Sequence, residues 1–306
     1  MVEVGTPRST TTRRTFDYTR GASGRRAEPW SEPVTNEPTT PPTGAPDEAA
    51  STEGMWRAIL LGTDPRFART RAWLKHIPGT PRCKMCAAPF GGFGQPLMHL
   101  IHRDRWAKNP LYCGFCFRVL QEHHGGAEIE ASFLFADVRG STSLAERMTP
   151  TEFRRLLDRF YDTASRILVD HDAIVDKFVG DEVIGLFIPA LAHGVHAARA
   201  IAAARALLRA TGHSDPGGPW IPIGIGVHTG VAYIGSVGEP PVTDLTALGD
   251  VVNTTARLSS AAATGETLVS ESAAIAAGFE TASLERRDLE LRGKSETTPV
   301  FVVSVG

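Results

Sequence analysis

Residues 176–187 read DKFVGDEVIGLF, two strand-length apolar runs split by Gly180-Asp181. A glycine followed by a short acid is a turn signal, so the stretch predicts a β-hairpin. It also carries Lys177, Asp181 and Glu182 inside apolar surroundings. Charge is costly to bury unless it is paired or bound to a metal. The fold and the reason for these charges have to be sought together.

Upstream, ASFLFADV (131–138) is another apolar run of strand length, ending at Asp137. The segment between it and the hairpin opens with TPTE: Thr149 as N-cap, Pro150 at the first helical position and Glu152 closing a capping box. Phe153, Leu156, Leu157, Phe160, Ala164, Ile167 and Leu168 then recur at helical spacing. Downstream, an Ala-rich helix is expected over about 191–210, stopping at Gly212. IPIGIGVHTG and VAYIGSVG read as a hairpin, VTDLTAL as a strand, and residues 249–262 as a helix. The order β-α-β-β-α-β plus further strands gives an α+β fold: a ferredoxin-like antiparallel sheet with helices on one face.

In such a sheet the first strand is central and pairs with the next hairpin, which brings Asp137 towards Asp181. Two hard carboxylates meeting in a gap suit Mg²⁺ or Mn²⁺ carrying a phosphate ligand. On spacing alone the plainer reading, a turn aspartate at 181 and a capping aspartate at 137, is favoured over the metal site.

Four segments together resemble one family. FADVRGSTSLAE and DKFVGDEVIGLF resemble the first two motifs of class III adenylate/guanylate cyclases. GIGVHTGVAYIGSVG resembles their glycine-rich hairpin, and TALGDVVNTTARL their late catalytic helix. LRGK near the end is also shared, and the likeness covers about 131–304. The resemblance implies conversion of ATP to 3′,5′-cyclic AMP and pyrophosphate, in cyclic-nucleotide signalling. Asp137, Asp181 and the carbonyl of Val138 match the ligands of two divalent ions. Lys177 matches the lysine that donates to N1 of adenine. Thr246 stands where many members have an aspartate that accepts the adenine amino hydrogen, and Asp244, two residues earlier, is placed to share that task. Asn253 and Arg257 match the transition-state pair, and Arg292 or Lys294 a phosphate contact. Ser141 departs from the usual Phe after D-V-x-G. The resemblance also implies a homodimer in which Asp137 and Asp181 of one chain meet Lys177, Thr246, Asn253 and Arg257 of the other. The alternatives are a guanylate cyclase, which would typically carry Glu and Cys at positions 177 and 246, and a non-catalytic nucleotide- or zinc-sensing scaffold.

Ahead of this region the texture differs. Residues 1–52 are rich in Thr, Pro, Ser, Gly and Arg and are expected to be a disordered basic tail. Residues 53–128 form a second unit, with one or two short amphipathic helices around Pro65. It holds Cys83-x-x-Cys86, 26 residues, then Cys113-x-x-Cys116, a zinc-ribbon-like spacing for structural Zn²⁺, with an iron–sulfur cluster as the alternative. His99 and His102 read as helix-face residues, and FRVLQEHHGG as a helix ending at Gly125-Gly126. The catalytic unit is expected over 129–306. The 306-residue chain has a net charge of −2, which argues against nucleic acid as a partner. With no leader or membrane span visible, a cytoplasmic protein is expected.

Overall fold

The computed structural model describes residues 46–63, 65–106, 110, 112–238, 243–292, 294 and 296–305. Helices α1 (Pro46–Leu61) and α2 (Pro65–Leu74) precede a 3-10 turn at Gly92–Gly94, α3 (Gln95–Leu100) and α4 (Gly114–Glu122). The sheet region follows: β1 (Gly125–Val138), α5 (Ser141–Arg147), α6 (Pro150–Asp170), β2 (Ile174–Val179), β3 (Glu182–Phe187), α7 (Pro189–Ala192) and α8 (His196–Ala210). It continues with β4 (Ile223–Val237), β5 (Asp244–Leu248), α9 (Asp250–Ala261), β6 (Glu266–Ser270), α10 (Glu271–Ala277), β7 (Glu285–Leu289) and β8 (Thr298–Ser304). α1 starts inside the stretch expected to be tail, where Pro46-Asp47-Glu48 suits a helix N-terminus. Residues 1–45 of that tail lie outside the described residues.

The sheet order is β2-β3-β1-β4-β6-β8-β7, with β5 on the far half of β4. Its first four strands are antiparallel neighbours with β1 in the middle, the ferredoxin-like arrangement. Side chains alternate across β1. Leu134 and Ala136 join α6, α8 and α10 through Phe160, Leu168, Ile201, Leu207 and Ala273. Phe133 and Phe135 face the other way, where that side of the sheet is also covered. Trp56, Leu60, Leu74, Met85, Tyr112, Phe117 and the four cysteines share one core with β1–β5 and Val251 of α9. The N-cap of α6 is as the sequence predicts, with the Thr149–Glu152 capping box formed.

Two expectations are corrected. The glycine-rich run is not a hairpin but the single 15-residue strand β4. Its glycines make room for α9: a Cβ at Gly226 would lie 2.4 Å from the Ser259 nitrogen and 2.6 Å from the Thr255 oxygen. Likewise Gly125-Gly126 does not end α4 but opens β1. A Cβ on Gly126 would meet the Ile234 oxygen at 2.5 Å, so the glycines let β1 and β4 cross closely. β1 consequently begins four residues ahead of the expected start of the catalytic unit at 129.

Candidate active site and cysteine centre

Asp137 is directly opposite Glu182 in the β1–β3 register, and Asp181 occupies the turn before Glu182. The Val138 amide donates to the Asp181 carbonyl over 3.3 Å, sewing the end of β1 to the β2–β3 turn. Three carboxylates therefore crowd one edge. Burial raises the Asp137 carboxyl, Arg139 opposes the rise, and Asp181 adds to it. Glu182 is pushed up to about 7, first by burial and then by Asp137 and Asp181. Such mutual discomfort is what a divalent cation relieves, so the residues present fit one. Arg139 is the internal counter-charge: its guanidinium pairs with Asp137 and donates to the Ser260 carbonyl over 2.9 Å. The sequence reading passed over Arg139, although a cation two residues after a candidate ligand, Asp137, is a usable signal.

The segment bearing Lys177 carries a bulge. Ile174 pairs with Leu186 and Lys177 with Ile184, so Asp176 is the extra residue between them. Ile174, Ile184 and Leu186 all belong to the core shared with the cysteine unit; strand alternation puts Asp176 on that face, where it meets Lys84, and the bulge brings Lys177 opposite Ile184. Thr246 Oγ1 donates to Asp176 Oδ2 over 3.1 Å, and Lys177 Nζ stands 3.6 Å from that oxygen. Asp244 shares this neighbourhood, but its Oδ1 is taken up by Lys84 Nζ at 2.9 Å and by the Tyr112 hydroxyl.

On α9, Val251, Thr254, Thr255, Leu258 and Ser259 are buried against the chain's own sheet. Asn253, one turn before Arg257, is exposed, and Arg257 is half-buried. Lys294 pairs with Asp250 in the first turn of the same helix, whereas Arg292 is exposed.

Cys83, Cys86, Cys113 and Cys116 are buried and free of disulfides, with their sulfurs within 4.8 Å of one another. Cys86 and Cys113 sulfurs stand 3.7 Å apart, close to the ~3.8 Å edge that a tetrahedron with ~2.3 Å Zn–S bonds requires. Backbone amides of Cys113 and Cys116 donate to the sulfurs of Cys83 and Cys113. Hydrogen bonds from Cys116, Cys83 and Cys86 hold the Cys113 thiol far below its ordinary range, while burial pushes Cys83 up and hydrogen bonds to the other cysteines push Cys116 up; four sulfurs this close, one of them poised as a thiolate, fit a metal ion. Buried Arg71 clamps the first knuckle to the sheet region, donating to the carbonyls of Lys84 at 2.9 Å, Met85 at 2.6 Å and Ala173 at 2.6 Å. His99 is exposed and meets Asp104, and neither it nor His102 joins the sulfurs. No helix among the described residues is long and apolar enough to cross a membrane.

Known proteins match this arrangement. The model of the adenylate and guanylate cyclase catalytic domain matches residues 127–304, more than half of the chain. Adenylate cyclase 1 of Rhizobium meliloti (strain 1021) is 32% identical over 144 residues, 44% of this chain and 22% of that protein. The adenylate cyclase of Anabaena cylindrica is 32% identical over 131 residues, 42% of this chain and 26% of that protein. The chain thus matches only about a quarter of the length of either relative. Among solved structures, the guanylyl cyclase Cya2 superposes with a TM-score of 0.53 at 26% identity, covering 60% of this chain and 95% of that one. The adenylyl cyclase CyaB from P. aeruginosa gives 0.51 at 26%, covering 58% and 96%. With four motifs in order, the sheet that places them and the match over 127–304, the chain belongs to the adenylate and guanylate cyclase catalytic-domain family.

Proposed function

We propose that this chain is an adenylate cyclase, converting ATP to 3′,5′-cyclic AMP and pyrophosphate at two equivalent sites of a homodimer. The observation that carries the reading is the convergence of Asp137 and Asp181, with Glu182 lifted to about 7 beside them. Asp137, Asp181 and the Val138 carbonyl would hold two Mg²⁺ or Mn²⁺ ions. When bound, these supply Lewis acidity toward the ribose 3′-hydroxyl and charge neutralisation at the triphosphate. The 3′-oxygen attacks the α-phosphorus in line and pyrophosphate departs, so the protein's share is positioning and electrostatics.

Arg257 neutralises charge growing on the α-phosphate, and Asn253 orients the ribose. Both project from the side of α9 that does not pack on its own sheet, which supports their serving a second chain. Lys294, already at the first turn of that helix, is the better-placed phosphate contact than Arg292. Lys177 donates to N1 of adenine and Thr246 accepts from its amino group. The four cysteines hold a structural Zn²⁺.

Turnover of purified protein with Mn²⁺ and either ATP or GTP tests this, alongside elemental analysis. Cyclic AMP as the main product and one zinc per chain are expected. Asp137→Ala is expected to lower kcat/KM at least about a hundredfold without loss of folding. Cyclic GMP as the main product overturns the choice of base, unchanged turnover in Asp137→Ala overturns the site, and iron in place of zinc overturns the metal.

A further inference from the structure

Between the cysteine knuckle and the sheet lies a buried polar cluster that the reaction above leaves unused. Lys84, inside the first Cys-x-x-Cys, is 3% exposed at its side chain. It donates to Asp176 Oδ1 at 2.9 Å and to Asp244 Oδ1 at 2.9 Å. Tyr112, also from the cysteine unit, donates to Asp244 and accepts from the Leu245 amide at 2.8 Å. Burial and the Asp244 carboxylate push the Tyr112 phenol far up, which keeps it a donor. Two carboxylates meeting one ammonium and one phenol satisfies an otherwise expensive burial. It also leaves Asp176 no freedom to turn, because Oδ1 is held by Lys84 and Oδ2 by Thr246.

The consequence falls on Thr246. A hydroxyl has one proton and two lone pairs, and a carboxylate can only accept. Facing Asp176 Oδ2, Thr246 spends its proton there and has only lone pairs left to offer elsewhere. We propose that Lys84 and Asp176 are specificity-determining positioning residues, fixing the Thr246 hydroxyl as an acceptor so that the site selects a 6-amino purine over a 6-oxo purine. A 6-amino group donates to such an oxygen; a 6-oxo group sets lone pair against lone pair. Lys177 Nζ, beside the same Asp176 oxygen, supplies the donor that N1 of a 6-amino purine accepts. One carboxylate oxygen thus flanks both halves of the recognition pair, and the cysteine unit holds that carboxylate. The inference rests on reading Thr246 and Lys177 as base contacts.

The test is the ratio of kcat/KM for ATP to that for GTP, measured on the full chain. In Asp176→Asn, Lys84 keeps the amide oxygen at the Oδ1 position, so the NH₂ faces Thr246. The hydroxyl must then accept from the amide and turn its proton outward, toward the base. The ratio is expected to fall at least about tenfold, through a rise for GTP as well as a loss for ATP. Adding Lys84→Met frees the amide to turn its oxygen to Thr246, and the ratio is expected to return toward the wild-type value. Should Asp176→Asn not fold, Asp176→Ala leaves the hydroxyl unconstrained, and the ratio is expected to fall toward the part that Lys177 alone sustains. A variant that folds without turnover is read by equilibrium binding of 3′-deoxy-ATP and 3′-deoxy-GTP. A wild type that prefers ATP, with an unchanged ratio in the Asp176 variants, overturns this inference alone. A wild type without ATP preference, or a Thr246→Val variant with the wild-type ratio, overturns the reading of the base contacts instead.

Discussion

At the end of β1, Asp137, Asp181 and Glu182 press like charges together around one guanidinium, that of Arg139. The folded Glu182 carboxyl titrates at about 7 against an ordinary 4.5, so between those values the fold retains a proton that the unfolded chain releases. Stability therefore falls as pH rises through that window, and the deficit is complete above it. In chelator, Glu182→Gln is expected to raise the melting temperature at pH 8 by a few degrees and to leave it unchanged at pH 4, with excess Mn²⁺ cancelling the difference. Equal offsets at both pH values in a thermal-melt series would contradict the charge argument. Asp137 and Asp181 were readable because their motifs are local. Asp176 and Lys84 were not, because their roles depend on each other across 92 residues of chain.

Glycine was the misleading letter for the elements. In a single sequence, Gly224, Gly226, Gly230 and Gly235 look like turn punctuation, and Gly125-Gly126 like a helix stop. In the fold Gly224, Gly226, Gly235 and Gly126 are places where another backbone comes too near for a Cβ, Gly230 faces the Val251 side chain, and Gly125 takes a positive φ of 130°, none of which shows before the chain is packed. The capping box of α6 and its apolar face were legible because they rest on residues within one or two turns. Gly226 ties β4 to α9, the helix that carries Asn253 and Arg257. Gly226→Ala is expected to cost about 1–3 kcal/mol in urea denaturation, because the helix backbone must move. It is also expected to lower kcat more than the stability loss explains, since Asn253 and Arg257 move with α9. A fully stable, fully active Gly226→Ala would mean that α9 is not seated by this contact.

Across the whole chain, the cysteine unit and the sheet share one core. Trp56 Nε1 donates to the His123 carbonyl at 2.9 Å, Lys75 meets Asp172 at 2.6 Å, and Arg71 and Lys84 reach the start of β2. Composition and the Cys-x-x-Cys spacing announced a four-cysteine unit but not where it docks, since docking is decided by contacts up to 160 residues apart. In the proposed homodimer each catalytic set is split, with the carboxylates of one chain facing the α9 groups of another. Mixing Asp137→Ala chains with Arg257→Ala chains tests this most directly, because a hybrid dimer carries one site with both groups intact. After the two inactive proteins are unfolded and refolded together, cyclic AMP formation is expected to return to about a quarter of the wild-type rate. A mixture as inactive as either parent, with hybrid dimers shown to be present, would contradict the shared site.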